Sequence, residues 1–169
     1  MQFDFYDIIT ILSAYLIGNI SPAIILGKIN GIDIKKEGSG NAGTTNALRV
    51  LGKKAAVITL VVDILKGVVA VKFGMMLGYE TGIWCALAVF CGHIWPCLYR
   101  FKGGKGVATA FGAILSVNWL LALTALAIVA CGLLISKRMS VGSLLGAATF
   151  PVACWFMEKD FIIVGCIMA

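Results

Sequence analysis

Two short segments concentrate glycine, hydroxyl and amide side chains, and cations, in a chain that is otherwise oily: Gly38-Ser-Gly-Asn-Ala-Gly-Thr-Thr-Asn-Ala-Leu-Arg49 and Lys102-Gly-Gly-Lys-Gly-Val-Ala-Thr109. Glycine lets backbone approach a ligand closely, and N–H groups at a helix start point at anions, so each segment can cradle a phosphate while Lys or Arg completes the neutralisation. Two such segments point to two phosphate groups held together. The first gathers Ser39, Asn41, Thr44, Thr45 and Asn46 and ends on Arg49, whose guanidinium suits bidentate phosphate contact. Helix capping uses the same residue types, so a polar re-entrant loop is the plainer alternative there. The second lacks the Gly-x-x-x-x-Gly-Lys-Ser/Thr spacing of a nucleotide-binding loop, and no strand precedes it. A basic anchor for anionic lipid heads is its plainer alternative, against which the interleaved glycines argue.

Three further groups stand near these segments. Asp63 and Lys66 lie three apart on one helix face, where either charge alone would be costly to bury. They are expected to pair, either as a structural ion pair or in direct contact with substrate. His93, the single histidine, stands in Gly92-His-Ile-Trp-Pro-Cys-Leu-Tyr-Arg100 just ahead of the second segment, as a packing residue or as a site wall handling protons. It cannot serve a His-x-x-x-x-Asp motif, because position 98 is leucine. A third basic turn, from Ser136 through Lys137 and Arg138 to Ser140 and Ser143, adds hydroxyls.

The elements that must carry these groups are membrane helices. Of the 169 residues 60% are hydrophobic and only 13% charged, with a mean hydropathy of +0.99, far beyond what a water-soluble core of this length requires. Ile8 to Leu26 is an uncharged run long enough to cross a bilayer, and Asp4 and Asp7 ahead of it replace the basic start of a signal peptide. Eleven of the fourteen cations fall between Lys28 and Lys54, between Arg100 and Lys105, and at Lys137 and Arg138. By the positive-inside rule these are cytoplasmic loops, which puts the N-terminus outside.

Helices are predicted near 5–27, 55–77, 82–98, 106–117, 119–136 and 142–157, with a last crossing from Phe161: an all-α polytopic bundle of about seven spans in one domain over 1–169. The basic residues at both ends of Val107–Ile135 ask for a hairpin, with Ser116-Val117-Asn118 as its turn. Only nine residues follow from Phe161, so the last span is expected to be truncated. The six cysteines, from Cys85 to Cys166, sit in apolar stretches without a Cys-x-x-Cys pair and read as packing residues. No metal-ligand cluster is legible, and no cofactor is expected.

Taken together, Ser21-Pro22 with Gly27-Lys28, the Gly38 to Arg49 block, Asp63-Ile-Leu-Lys-Gly67, Gly92-His-Ile-Trp-Pro96, Phe101 to Thr109 and the serine turn at 140–143 resemble the bacterial acyl-phosphate:glycerol-3-phosphate acyltransferases over nearly the whole chain. The resemblance implies an inner-membrane enzyme that moves a fatty acyl group from acyl phosphate to glycerol 3-phosphate, giving lysophosphatidic acid and phosphate. It implies a site facing the cytoplasm, and a soluble acyltransferase as the supplier of acyl phosphate; nucleic acid is not an expected partner. It assigns Ser39, Arg49 and Lys105 to catalysis. Substrate and phosphate binding falls to Gly38, Gly40, Asn41, Thr45, Asn46, Lys102, Gly103, Gly104, Gly106, Ser140 and Ser143, with Asp63, Lys66 and His93 in support. The family pattern continues to a basic segment of the type Arg-His-x-x-Asn-Ile-x-Arg, and nothing similar precedes Ala169. An inactive truncated member and a non-enzymatic anion-binding membrane protein are therefore the competing expectations.

Overall fold

The computed structural model describes residues 3–157. Among these, eight α-helices and one 3-10 turn account for the regular structure: α1 (Phe5–Gly18), α2 (Pro22–Ile29), α3 (Thr44–Leu51), α4 (Lys53–Leu77), α5 (Tyr79–Ile94), the 3-10 turn Cys97–Tyr99, α6 (Val107–Val117), α7 (Trp119–Ser136) and α8 (Met139–Met157). The crossing predicted from Phe161 lies outside the described residues.

The predicted helix over 5–27 is two helices, bent by 42° at Asn19–Ser21. Pro22 is the cause: it has no N–H to donate, and its ring keeps Ser21 out of the helical region, at φ −118° and ψ 95°. Asn19 then pins the break. Its amide donates to the Tyr15 carbonyl at 2.7 Å, and its side-chain oxygen accepts from the Leu98 N–H at 3.2 Å. At the other end of α1, Asp4 and Asp7 form a reciprocal capping box, 2.9 and 3.0 Å, and Asp7 also accepts from the Thr81 hydroxyl of α5 at 2.6 Å.

The hairpin expected at Ser116–Asn118 is present. Asn118 caps α7 by accepting from the N–H groups of Leu120 and Leu121 at 3.0 and 3.1 Å. A straight helix over Val107–Ser136 would be about 45 Å long at 1.5 Å per residue. Yet Lys105, before α6, touches Ser140, in the first turn of α8, at 2.9 Å. Only a chain that folds back brings those two ends together.

Tyr79–Tyr99, α7 and α8 are each long and apolar enough to cross a membrane, and the bent α1–α2 pair makes a fourth candidate. α4 has the length, 25 residues, but carries Lys53, Lys54, Asp63, Lys66 and Lys72. Its inward face is lined by small groups, among them Ala56, Ala70 and Gly74, which let α5 and α6 lie close. The bundle is small inside and large outside: Ala14, Ala86, Val89 and Ala113 fill the core while Leu134, Ile135 and Phe156 are exposed. Such a surface suits lipid rather than water. A second, smaller apolar cluster of Ala23, Ile24, Ile34, Ala42 and Ala47 lies under the first glycine segment.

At the close crossing of α1 on α5, Gly18 and Gly92 face one another; a Cβ on Gly92 would run into the Tyr15 carbonyl, and one on Gly18 into that of Val89. Gly92→Val is therefore expected to destabilise the bundle by about 1–3 kcal/mol. Thermal unfolding in detergent reads this directly, and an unchanged midpoint would mean that α1 and α5 part without cost.

Candidate active site

The buried centre of the site is the Lys66 ammonium, with its side chain 3% exposed. It lies 2.7 Å from Asp63 Oδ1, 2.7 Å from His93 Nδ1 and 2.6 Å from the carbonyl oxygen of Ile20. An ammonium has three protons and no acceptor, so His93 Nδ1 accepts and its Nε2 carries the ring proton. The Ile20 carbonyl is available because the Pro22 break leaves it outside the helical ladder. Burying Lys66 and Asp63 as an ion pair neutralises both charges inside the bundle. Of the two readings open for them in the sequence, the ion pair is the one formed.

His93 turns its far edge to both glycine segments. A Cβ on Gly104 would overlap His93 Nε2 and come within 3.1 Å of the Ala42 carbonyl oxygen, so only glycine lets the second segment lie here. That segment is a strap folded back on the end of α5. Gly103 donates to the Ile94 carbonyl at 2.9 Å and Gly104 to that of His93 at 3.2 Å. These two N–H groups are committed to the protein. Gly106, at φ +79°, turns the strap into α6, whose first-turn N–H groups remain for an anion.

The first segment is organised by Asn46, one of the residues expected to face phosphate. Asn46 is fully buried; its amide donates to the carbonyls of Ile34 and Glu37, both at 3.1 Å, and its side-chain oxygen accepts from the Ser39 N–H at 2.9 Å. It latches the loop's own backbone. Gly38 and Gly40, at φ +61° and +68°, turn the chain over it. With its N–H held, Ser39 keeps a free hydroxyl, while Asn41 folds against Gly43 and Thr45 is exposed in the first turn of α3.

The cations split into two kinds. Lys66 is paired and sealed, whereas Arg49 and Lys105 are exposed and have no carboxylate within ion-pair distance among the described residues. Arg49 lines a cavity of about 560 Å³ with Gly38, Glu37, Lys36 and Asp33. The Lys105 ammonium donates to the Ser140 hydroxyl at 2.9 Å, and Ser143 donates to the Ser140 carbonyl at 3.0 Å, so the serine turn meets the strap through Ser140. Lys102 is exposed, its N–H held by the Tyr99 carbonyl at 3.2 Å.

Residues 8–169 match the family described as Glycerol-3-phosphate acyltransferase. The chain belongs to the glycerol-3-phosphate acyltransferase family. It is 50% identical over 147 residues to the Glycerol-3-phosphate acyltransferase of Thermoanaerobacter pseudethanolicus, covering 86% of this chain and 74% of that one. To that of Clostridioides difficile strain 630 it is 45% identical over 160 residues, 90% and 78% of the two chains. The fold superposes with a TM-score of 0.91, at 28% identity and over 96% of this chain and 84% of the other, on the crystal structure of PlsY (YgiH), an integral membrane glycerol 3-phosphate acyltransferase, in its glycerol 3-phosphate form. The lysophosphatidic acid form of that protein matches with a TM-score of 0.87.

Within this acyltransferase-family chain, two features of the site escaped the sequence reading. One is the Ile20 carbonyl as a partner of Lys66; the Ser21-Pro22 pair was its signal, because a break inside a span orphans a carbonyl that needs a donor. The other is the Asn46 latch, whose carbonyl partners Ile34 and Glu37 lie in the preceding loop.

Lys66→Met leaves the Asp63 carboxylate buried and unpaired, and is expected to destabilise by about 3–5 kcal/mol. Changing both, Asp63→Leu with Lys66→Met, should recover much of that loss. Denaturation in mixed micelles measures the cycle, and additive losses would show that the two charges do not interact.

Proposed function

We propose that this chain is one integral membrane domain that acylates glycerol 3-phosphate, taking the acyl group from acyl phosphate and releasing lysophosphatidic acid and inorganic phosphate. Family membership favours a transferase over an anion pore. The observation that carries the reading is the pair of exposed cations, Arg49 and Lys105, which form no ion pair among the described residues and stand on two glycine segments that meet at His93. Two phosphorylated substrates require two such positions.

The chemistry asks for no protein nucleophile. Acyl phosphate is a mixed anhydride with a good leaving group: the glycerol hydroxyl oxygen bonds to the acyl carbon, the bond from that carbon to the phosphate oxygen breaks, and the phosphate takes the hydroxyl proton. The protein must hold both phosphates, align hydroxyl with carbonyl, and stabilise the negative charge that develops on the acyl oxygen. Arg49 and Lys105 bind phosphate, the latter with Ser140; Ser39 and Asn41 orient the reacting groups. The N–H groups that open α6 add a positive helix end beside Lys105.

The basic loops support a site at the cytoplasmic face of the membrane, in this reading a bacterial inner membrane, with the N-terminus outside. There the acyl chain stays in the bilayer while glycerol 3-phosphate arrives from water. A soluble acyltransferase that makes acyl phosphate is the matching supplier.

Purified in detergent, the chain is expected to form lysophosphatidic acid from palmitoyl phosphate and glycerol 3-phosphate, and none from palmitoyl-CoA. Arg49→Ala and Lys105→Ala should each lower the rate about 100-fold with the fold intact, the scale of losing one charge-stabilising donor. Near-normal turnover in both variants would remove them from the site, and equal use of palmitoyl-CoA would reject acyl phosphate as the donor.

A further inference from the structure

A second basic cavity, of about 580 Å³, lies between α2 and the 3-10 turn, lined by Lys28, Lys35, Arg100 and Tyr99 with apolar walls that include Ile24 and Leu98. It shares Gly31, Ile32 and Asp33 with the Arg49 cavity, whereas Lys28, Lys35, Tyr99 and Arg100 line it alone. The Lys28 and Lys35 ammonium groups both stand 5.5 Å from the centre of the Tyr99 ring, and Lys35 also donates to the Tyr99 carbonyl at 3.2 Å. Two ammonium groups are thereby held against one ring, with Arg100 on the same wall.

The one carboxylate of the lining, Asp33, is turned to its own loop. It accepts from the Lys35 N–H at 3.1 Å and pairs with the Lys36 ammonium at 3.9 Å. Lys28, Lys35 and Arg100 have no carboxylate within ion-pair distance among the described residues. Burial, followed by the charges of Lys102 and Lys28, pulls the Lys35 ammonium below its ordinary value, although Asp33 opposes this. The arrangement is short of negative charge.

The backbone around it is held under strain: Arg100 and Phe101, neither of them glycine, are both left-handed, at φ 56° and 58°. The same segment carries apolar side chains outward, with Leu98 70% and Phe101 61% exposed and Trp95 beside them. Aromatic and aliphatic groups next to cations are the composition of a membrane–water boundary. The cavity therefore opens where lipid headgroups lie.

We propose that Lys28, Lys35, Tyr99 and Arg100 form a site for the headgroup of an anionic phospholipid, adjoining the Arg49 cavity but built on its own cations. The phosphodiester sits among the three cations, and the glycerol backbone and first methylenes lie along Ile24 and Leu98. Nothing here rests on the acyl-transfer reading, since the ligand is a bilayer lipid that is bound and not changed.

The test compares two double variants of equal charge change, Lys28→Gln with Lys35→Gln and Lys53→Gln with Lys54→Gln, in detergent titrated with phosphatidylglycerol or phosphatidylcholine. Binding is read by native mass spectrometry. Phosphatidylglycerol is expected to bind the unmodified chain and the Lys53/Lys54 variant alike, and the Lys28/Lys35 variant about tenfold more weakly, from the loss of two close cations. Tyr99→Leu, which keeps every charge, should also weaken it, with thermal unfolding in phosphatidylcholine confirming that each variant is folded. Equal weakening in both double variants would reduce the effect to general surface charge and overturn the site. Binding of phosphatidylcholine as tightly, or displacement of phosphatidylglycerol by equimolar inorganic phosphate, would overturn the assignment to an anionic lipid headgroup.

Discussion

The Lys66 ammonium is the constraint on which the rest of the structure depends. In the interior of a membrane bundle an unpaired cation is expensive, so each of its protons must find a partner, and here the three partners lie on three different elements: the break between α1 and α2, the α4 helix itself, and α5. Satisfying one charge thus fixes the relative placement of Ile20, Asp63 and His93. The bend at Pro22, which would leave a carbonyl without a partner in hydrocarbon, becomes the feature that completes the coordination. His93 is in turn held in one tautomer with one edge turned outward, and the strap takes its position from that edge and from the carbonyl groups at the end of α5. The position of Lys105 follows from a charge buried on a different helix.

Periodicity and breaker residues made most of the helices legible. The α7 boundaries agree with the prediction to the residue, because Asn118 is an N-cap and Lys137 is a turn residue in the left-handed region. Two elements were not legible, for different reasons. Pro22 inside an apolar run permits either a kinked span or two helices, and what decides is the set of partners that Asn19 and Ile20 find on distant turns. The α3 helix is eight residues long and mostly polar on one side, below the length at which pattern outweighs the glycine and hydroxyl residues around it. Its existence depends on Asn46 and Ala47 docking on Ile34 and Ala23, contacts no local window contains.

The same limit explains the site. Residue type identified the groups: glycines where backbone must approach, and cations where anions are expected. Type alone did not separate side chains that build the loops from side chains left for a ligand. Asn46 has the chemistry of a phosphate ligand, and all of it is used on the loop's own backbone. Gly103 and Gly104 have N–H groups suited to an anion, and both are tied to α5. What sets Arg49 and Lys105 apart from Lys66 is that each is exposed on a glycine segment and forms no ion pair among the described residues.

That separation has an energetic logic. A charge that organises the fold must be neutralised inside the protein, as Lys66 is, or its burial opposes folding. A charge that binds substrate must lack an internal counter-ion, since a carboxylate already in place would compete with phosphate for the same donor. One side chain cannot meet both conditions, so the chain uses two sets of cations at different depths and joins them through neutral parts: the His93 ring, the glycine strap and the Ser140 hydroxyl. A neutral connection transmits position without adding a charge that the substrate phosphates would have to displace. The strap's glycines, required by their close approach to His93, and the Ser140 hydroxyl on α8 meet that condition as neutral contacts.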